Sequence, residues 1–136
     1  MYIAFNKSNK TLMGKLIRFF TKSEYVHCEL VTVKRADKFY GYSAFPGEGV
    51  RAKWISYDSN EWEFIKIPSI DVKNFLEKTK GKKYDYLGVL GFVFGNNDNP
   101  NRWFCSEWCA TVLGLENPSK LSPGVLYKKI KNGTNE

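Results

Sequence analysis

The segment YVHCELVTV, residues 25–33, decides the fold, because its side chains follow the two-residue period of a β-strand. The same pattern continues over residues 39–45, 49–56 and 61–67, which are separated by the turn-forming sequences ADK, PGEG and SYDSN. Four consecutive strands with short connections most simply form an antiparallel meander, and YIAF (2–5) predicts one further strand. We therefore predict an antiparallel β-meander of four to five strands.

Helical patterns precede and follow this predicted sheet. The first is amphipathic, with leucine and phenylalanine at helical spacing between lysine and arginine, and a later one is apolar and rich in glycine, as expected for a buried helix. The predicted helices are residues 11–22, 69–81, 84–95, 103–115 and 122–131, with a loop over residues 96–101. This order indicates one α+β domain over residues 1–136, in which the sheet packs against helices.

The composition excludes several classes of protein. Hydrophobic residues make up 43% and aromatic residues 16% of the chain, which predicts a packed domain rather than a disordered segment. Three cysteines are too few for a disulfide scaffold and indicate free thiols. The N-terminal segment lacks the apolar stretch of a signal peptide, and the apolar run 86–95 is far shorter than the ~20 residues that span a bilayer. We expect a soluble, cytoplasmic protein that is monomeric by default.

The net charge of +7 permits nucleic acid or another anionic partner. The lysines are dispersed along the chain, however, and the only tight basic cluster is YKKIKNG, residues 127–133. A dispersed basic excess is more typical of a solubilising surface than of a nucleic-acid interface. Nucleic acid is therefore disfavoured as the partner.

The segment FCSEWCA, residues 104–110, contains two of the three cysteines and suggests a metal or redox site. His27, Cys28, Cys105 and Cys109 are four possible zinc ligands. His27 and Cys28 are adjacent on a predicted strand, so their side chains point to opposite faces and cannot both reach one ion. A thioredoxin-type redox pair requires Cys-x-x-Cys, which the chain lacks. We therefore expect neither a metal nor a cofactor, and interpret Cys28 and Cys109 as core packing residues.

Cys105 differs from the other two cysteines in its position. It lies where a loop gives way to a predicted helix, and the N–H groups of a first helical turn stabilise a thiolate. A nucleophilic cysteine needs a base, and His27 is the only histidine. Strand alternation places Tyr25, His27, Glu29 and Val31 on one face, which is more polar than a core face. On this chemistry a catalytic Cys–His pair and an ordinary buried cysteine both remain open.

Four segments together resemble a known family: EYVHCELV (24–31), YSAFPGEGV (42–50), GKKYDYLGVLGF (81–92) and FCSEWCATVL (104–113). In content and order they look like the permuted papain-like cysteine hydrolases, relatives of the NlpC-type cell-wall peptidases and of lecithin retinol acyltransferase. In these proteins the histidine strand comes first and the nucleophile helix last. The resemblance covers residues 23–113 and implies a circularly permuted papain-like fold.

The resemblance also implies roles for individual residues. Cys105 corresponds to the nucleophile and His27 to the general base, and Tyr84 is a candidate for polarising the oxyanion. The family's third polar residue falls at Ser43, but serine carries no charge, so we prefer Glu29, which shares the face of the histidine. The backbone N–H groups at the start of the Cys105 helix are the stronger candidates for the oxyanion hole.

The implied activity is that of a thiol hydrolase, an amidase or peptidase that cleaves a peptide or acyl-amide substrate through a thioacyl-enzyme. Three alternatives stay open at this point. One is an inactive binding module of the same fold, another is a lipid acyl hydrolase or acyltransferase, and the third is a basic nucleic-acid-binding protein.

Overall fold

The computed structural model describes residues 1–8, 10–85 and 101–134, and over these residues the protein is an α+β structure with a five-stranded antiparallel sheet. The strands are β1 (Tyr2–Asn6), β2 (His27–Lys34), β3 (Lys38–Phe45), β4 (Gly49–Ser56) and β5 (Trp62–Lys66). The α-helices in this part of the chain are α1 (Leu12–Thr21), α2 (Val72–Thr79), α3 (Cys105–Val112) and α4 (Pro123–Thr134). A short parallel pair, β6 (Lys83–Tyr84) with β7 (Arg102–Trp103), leads into α3.

The order of strands in the sheet is β4-β3-β2-β1-β5. The predicted meander is correct for β2, β3 and β4, which are neighbours, but wrong for β5, which pairs with β1 at the opposite end of the sheet. The reason lies in β1, where Ile3, Ala4 and Phe5 are fully buried, as expected of a central strand. A central strand needs a partner along both edges, because buried backbone N–H and C=O groups must be paired. β2 supplies one edge of β1, and β5 supplies the other.

Four of the five predicted helices are found, with ends shifted by one to three residues. Thr11 caps α1 by accepting a hydrogen bond from the N–H of Gly14 at 3.0 Å, and Asp71 caps α2 through the N–H of Asn74 at 3.3 Å. The predicted helix over 84–95 lies outside the described residues apart from its first two, and Tyr84 belongs to β6 instead. The predicted loop 96–101 also lies outside them, except for its last residue. No helix in the described part of the chain has the length and apolar character needed to cross a membrane.

The main hydrophobic core lies between one face of the sheet and the helices. Its largest fully buried side chains are Trp108 and Phe104 of the α3 region, Phe5 of β1 and Leu126 of α4. A smaller cluster around Ala4, Val31 and Phe39 covers the opposite face of the sheet. These two clusters show that both faces of β1 and β2 are buried.

Gly49 attaches the segment before α3 to the sheet. Its backbone has φ +71°, and a Cβ there would lie 2.4 Å from the carbonyl oxygen of Lys82. The N–H of Val50 donates to the same oxygen at 2.8 Å. Only glycine allows this close approach without strain, and the contact fixes the position of Tyr84 two residues later.

Candidate active site

The two faces of β2 carry different chemistry. Cys28 and Leu30 point into the main core, whereas His27 and Glu29 contact each other on the other face. The predicted shared face is thus correct for His27 and Glu29 but wrong for Tyr25, which precedes β2 and stacks on Tyr127 of α4 at 4.1 Å between ring centroids. Because the strand begins only at His27, the alternation does not extend back to Tyr25.

Glu29 is a fully buried carboxylate with both oxygens occupied. Its Oε2 is hydrogen-bonded to Nε2 of His27, and its Oε1 accepts a hydrogen bond from Nη1 of Arg51 at 2.6 Å. Burial raises the pKa of a carboxyl group, but the charges and hydrogen bonds of His27 and Arg51 outweigh burial and lower the pKa of Glu29. The carboxylate is therefore ionised and held between two cations.

Arg51 was not among the residues singled out in the sequence. The hairpin of β3 and β4 sets Ser43 opposite Arg51, and this register follows from the turn residues PGEG between the strands. A buried glutamate also requires a cation nearby, since an unpaired buried charge is strongly destabilising. These two signals together could have predicted Arg51 as the partner of Glu29.

Gly41 of β3 makes room for the Glu29 carboxylate. A Cβ at Gly41 would lie 2.8 Å from Oε1 of Glu29 and 2.9 Å from the ring of Phe39. Both distances are shorter than van der Waals contact, so a side chain here would displace the carboxylate. Gly41 thus shapes the site although its own conformation is an ordinary extended one.

Cys105 is the first residue of α3, two residues after the predicted start of the helix at 103 and within the predicted first turn. The preceding residue, Phe104, is extended at φ −92°, ψ 153°, and its N–H donates to Oε1 of Glu107 at 3.3 Å. Glu107 thus closes the first turn in the manner of an N-terminal cap. The positive end of the helix dipole is directed at the Cys105 thiol, and this favours its ionised form.

The thiol of Cys105 is fully buried, and Cys28 and His27 are the groups that act most strongly on its ionisation. Burial raises its pKa, but the hydrogen bond with Cys28 and the positive charge of His27 prevail and lower the pKa of Cys105 to about 5. Burial lowers the pKa of His27, but the charges of Cys105 and Glu29 prevail and raise the pKa of His27 to about 10. At neutral pH the two side chains therefore form a thiolate–imidazolium ion pair.

Cys28 and Cys109 are also free thiols, and both are fully buried in the main core. The sulfur of Cys109 lies 3.9 Å from the carbonyl oxygen of Cys28, and burial raises the pKa of Cys28 well above that of an ordinary thiol. Full burial and a raised pKa are typical of cysteines that pack in a core. Among the residues that the structure describes, no three His, Cys, Asp or Glu side chains are arranged to hold a metal ion.

Ser43 and Tyr84 are the two remaining site residues predicted from the sequence, and both are buried. Ser43 is fully buried, and its hydroxyl has no hydrogen-bond partner within the described residues, so the structure does not join it to His27. Of the two candidates for the third residue, Glu29 alone contacts the histidine. Tyr84 is buried with its ring 5.4 Å from that of Phe104, directly before Cys105.

A cleft of about 440 Å³ opens beside His27. The imidazole meets the rings of Phe45 and Trp62 edge-on, at 5.2 and 6.2 Å between centroids. Other residues of the cleft wall are Glu29, Arg51, Tyr84 and, from α1, Met13 and Ile17. A largely apolar wall with a few charged groups is typical of sites for small molecules or peptide side chains.

No protein-family model, no curated protein and no solved structure matches the chain. What the chain does therefore has to follow from the chemistry of its site. A thiolate at a helix start is a nucleophile, and an adjacent imidazolium is a proton donor. The buried Glu29 carboxylate holds this imidazolium in place.

Proposed function

We propose that the protein is a cysteine hydrolase of the permuted papain-like type that cleaves an amide bond in a peptide or acyl-amide substrate. One observation carries the proposal: Cys105, the first residue of α3, interacts with the charge of His27, which in turn is held by the buried carboxylate of Glu29. A nucleophile, a base and an orienting group in contact are the three parts of a thiol-hydrolase site.

The reaction has two stages. The Cys105 thiolate attacks the carbonyl carbon, His27 gives its proton to the leaving nitrogen, and the C–N bond breaks to leave a thioester on Cys105. His27, now neutral, takes a proton from water, which attacks the thioester carbonyl and releases the carboxylic acid and the thiolate. The first-turn N–H groups of α3 are oriented to stabilise the oxyanion in both stages.

Glu29 and Arg51 act through His27 as positioning residues. The Glu29 carboxylate fixes the ring orientation of His27 and stabilises its positive charge. Arg51 keeps Glu29 ionised and is itself largely buried. This arrangement supplies the charge that the uncharged Ser43 lacks, which supports Glu29 as the third residue of the site.

The order of the elements agrees with the permuted arrangement. His27 opens a strand early in the chain, and Cys105 opens a helix late in the chain, behind the short strands β6 and β7. Tyr84 and Phe104 pack together just ahead of the nucleophile, so the motif Gly81-x-x-Tyr84 is adjacent to Cys105 in space. Bacterial cell-wall peptides are the leading substrate class, and acyl lipids are the alternative that the resemblance carries.

Hydrolysis by the full chain tests the proposal. Peptides, muropeptides, acyl lipids and thioesters are incubated in ¹⁸O-labelled water, and mass spectrometry detects products. Amide cleavage with one ¹⁸O atom in the new carboxylate is expected from the wild type and from Cys109→Ala, the matched control. Cys105→Ala should be inactive. Turnover that survives Cys105→Ala, or that occurs on acyl lipids but on no amide, contradicts the proposal.

The burial of Cys105 favours a second candidate, a binding domain that retains the site without turnover. Cys105 is 0% exposed, whereas His27 lines the cleft, so a substrate carbonyl would need a local movement to reach the sulfur. The two candidates differ in one result. A binding domain would give a selectively reactive Cys105 thiolate together with no cleavage of any amide, ester or thioester substrate.

A further inference from the structure

Helix α1 exposes an apolar stripe. It packs on the rest of the protein through its buried residues Gly14 and Ile17. On the outward side Leu12, Leu16 and Phe19 follow one another at helical spacing and are 75%, 38% and 75% exposed. Leucine and phenylalanine at this level of exposure on one helix face indicate a surface that another partner covers.

The segment that carries the stripe is basic. Residues 7–22 contain five lysine or arginine side chains and no aspartate or glutamate. Lys10 is paired with Glu61 at 2.8 Å, whereas Lys15 and Lys22 are exposed next to the apolar stripe on α1 and at its end. We use "the α1 surface" for Leu12, Lys15, Leu16, Phe19 and Lys22.

We infer that the α1 surface docks on an anionic lipid bilayer, with the apolar stripe at the level of the headgroups. A helix with exposed leucine and phenylalanine on one face and lysine beside them has the composition of an interfacial helix. The apolar side chains leave water for the acyl boundary, and the lysines meet the negative surface potential of the lipids. The combination of both features on one face carries the inference.

The same combination argues against two other occupants, a second copy of the chain and nucleic acid. A two-fold contact between copies of the chain would bring Lys15 and Lys22 against the same basic surface, and like charges repel. Nucleic acid would satisfy the lysines but would leave the rings and branched side chains of the stripe in water. An anionic bilayer matches the charge and the apolar area together.

Docking through α1 also orients the cleft. The inner side of α1 contributes Met13, Gly14 and Ile17 to the cleft wall beside His27. Since the stripe and the cleft lie on opposite sides of the same helix, docking brings the cleft close to the lipid surface. The inference does not depend on catalysis by Cys105.

Sedimentation of the full chain with lipid vesicles tests this inference. We expect binding to vesicles of phosphatidylcholine with about one-third phosphatidylserine, much weaker binding to phosphatidylcholine alone, and a decrease in binding as salt is added. Leu12→Gln/Phe19→Gln and Lys15→Gln/Lys22→Gln should each weaken binding by about tenfold or more. Because these side chains are exposed, circular dichroism should show both variants folded.

The controls change apolar side chains and lysines elsewhere on the surface. Val33→Gln/Trp54→Gln alters two half-exposed apolar side chains on β2 and β4, and Lys73→Gln/Lys128→Gln alters two exposed lysines on α2 and α4. Both controls, and Cys105→Ala, should bind vesicles like the wild type.

Vesicle binding that the α1 variants leave unchanged overturns the inference. So does a dimer in ultracentrifugation that Leu12→Gln/Phe19→Gln dissociates, or DNA binding that depends on the α1 surface without any vesicle binding.

Discussion

Cys105 and Cys28 are both fully buried, but their pKa values are shifted in opposite directions. Burial raises the pKa of both thiols. For Cys28 on β2, the hydrogen bonds and charges of Cys105 and Cys109 raise the pKa further. For Cys105 at the start of α3, the hydrogen bond with Cys28 and the charge of His27 reverse the effect of burial and lower the pKa to about 5. The neighbours of a buried thiol, rather than burial itself, decide whether it is a nucleophile.

The same contrast exists between the two faces of β2. One face gives Cys28 and Leu30 to an apolar core, and the other gives His27 and Glu29 to an ion network that ends at Arg51. His27 links the two parts, because it is hydrogen-bonded to Glu29 and its charge also acts on Cys105. The difference between the two cysteines therefore depends on His27 as well as on the contact between the thiols.

The largest effect on the reactivity of Cys105 is expected from removing the imidazole of His27. In His27→Ala the positive charge beside Cys105 is gone, and the pKa of Cys105 should rise toward that of an ordinary thiol. Alkylation of Cys105 by iodoacetamide near pH 6 should then slow by about 100-fold, because the thiolate is the reactive form. Site-resolved mass spectrometry measures the rate at each cysteine, and Cys28 and Cys109 serve as internal controls whose slow rates should not change. An unchanged Cys105 rate would remove the basis of the proposed hydrolase.

The pH dependence tests the same contrast in the unmodified protein. Alkylation of Cys105 should fall roughly tenfold for each pH unit below its pKa, because the thiolate is protonated there. That pKa is about 5, so the rate should be flat at neutral pH. Amide hydrolysis should in addition decrease as pH rises through about 10, where His27 loses the proton that the leaving nitrogen needs. A single rise of the Cys105 rate near pH 8.5 would contradict the ion pair.

Local patterns were sufficient to place the residues of the candidate site on their elements. The alternation in residues 25–33 placed His27 and Glu29 together, and the change from loop to helix placed Cys105 in a first turn. Both inferences need only the geometry of a single element, which its own residues determine. The resemblance then joined the two elements, which lie far apart in the chain.

Inferences that depend on distant partners were wrong or missing. The pairing of β5 with β1 depends on which sheet edge is free, and the pattern of residues 61–67 contains no such information. Arg51 became visible only once β3 and β4 were aligned and Glu29 was known to be buried. Tyr25 follows the period of the strand but lies before its first residue, because α4 offers it an aromatic partner.

A smaller effect is expected from removing the charge of Glu29. In Glu29→Gln the imidazolium loses an anionic partner, so the pKa of His27 should fall and that of Cys105 should rise, slowing alkylation near pH 6 by about tenfold. The largely buried Arg51 loses its buried carboxylate partner and keeps only Glu48 at 3.7 Å, so unfolding should become easier by about 3 kcal/mol. Chemical denaturation and site-resolved alkylation measure the two effects.

The pH dependence of stability gives a control for this variant. The pKa of Glu29 is lowered in the folded protein, so its contribution to stability is present above the unfolded value of 4.5 and is lost as pH falls through the folded value. The wild type should lose this contribution in acid, and Glu29→Gln should not, because glutamine does not titrate. Parallel pH profiles for the two proteins would show that Glu29 is not an ionised partner of His27 and Arg51.

The smallest expected effect is a difference in the alkylation rate of Cys105 between variants of the two packing cysteines, Cys28 and Cys109. The Cys28 side chain lowers the pKa of Cys105, whereas the sulfur of Cys109 lies 3.9 Å from the carbonyl oxygen of Cys28. Cys28→Ala should therefore slow alkylation of Cys105 near pH 5 by about threefold, since a hydrogen bond to a charged group stabilises that charge. Cys109→Ala removes a similar volume from the same core but no donor to Cys105, so it should leave the rate unchanged. Equal alkylation rates in the two variants would mean that Cys28 does not help to stabilise the Cys105 thiolate. The difference between the two buried thiols would then depend on His27 and the helix start.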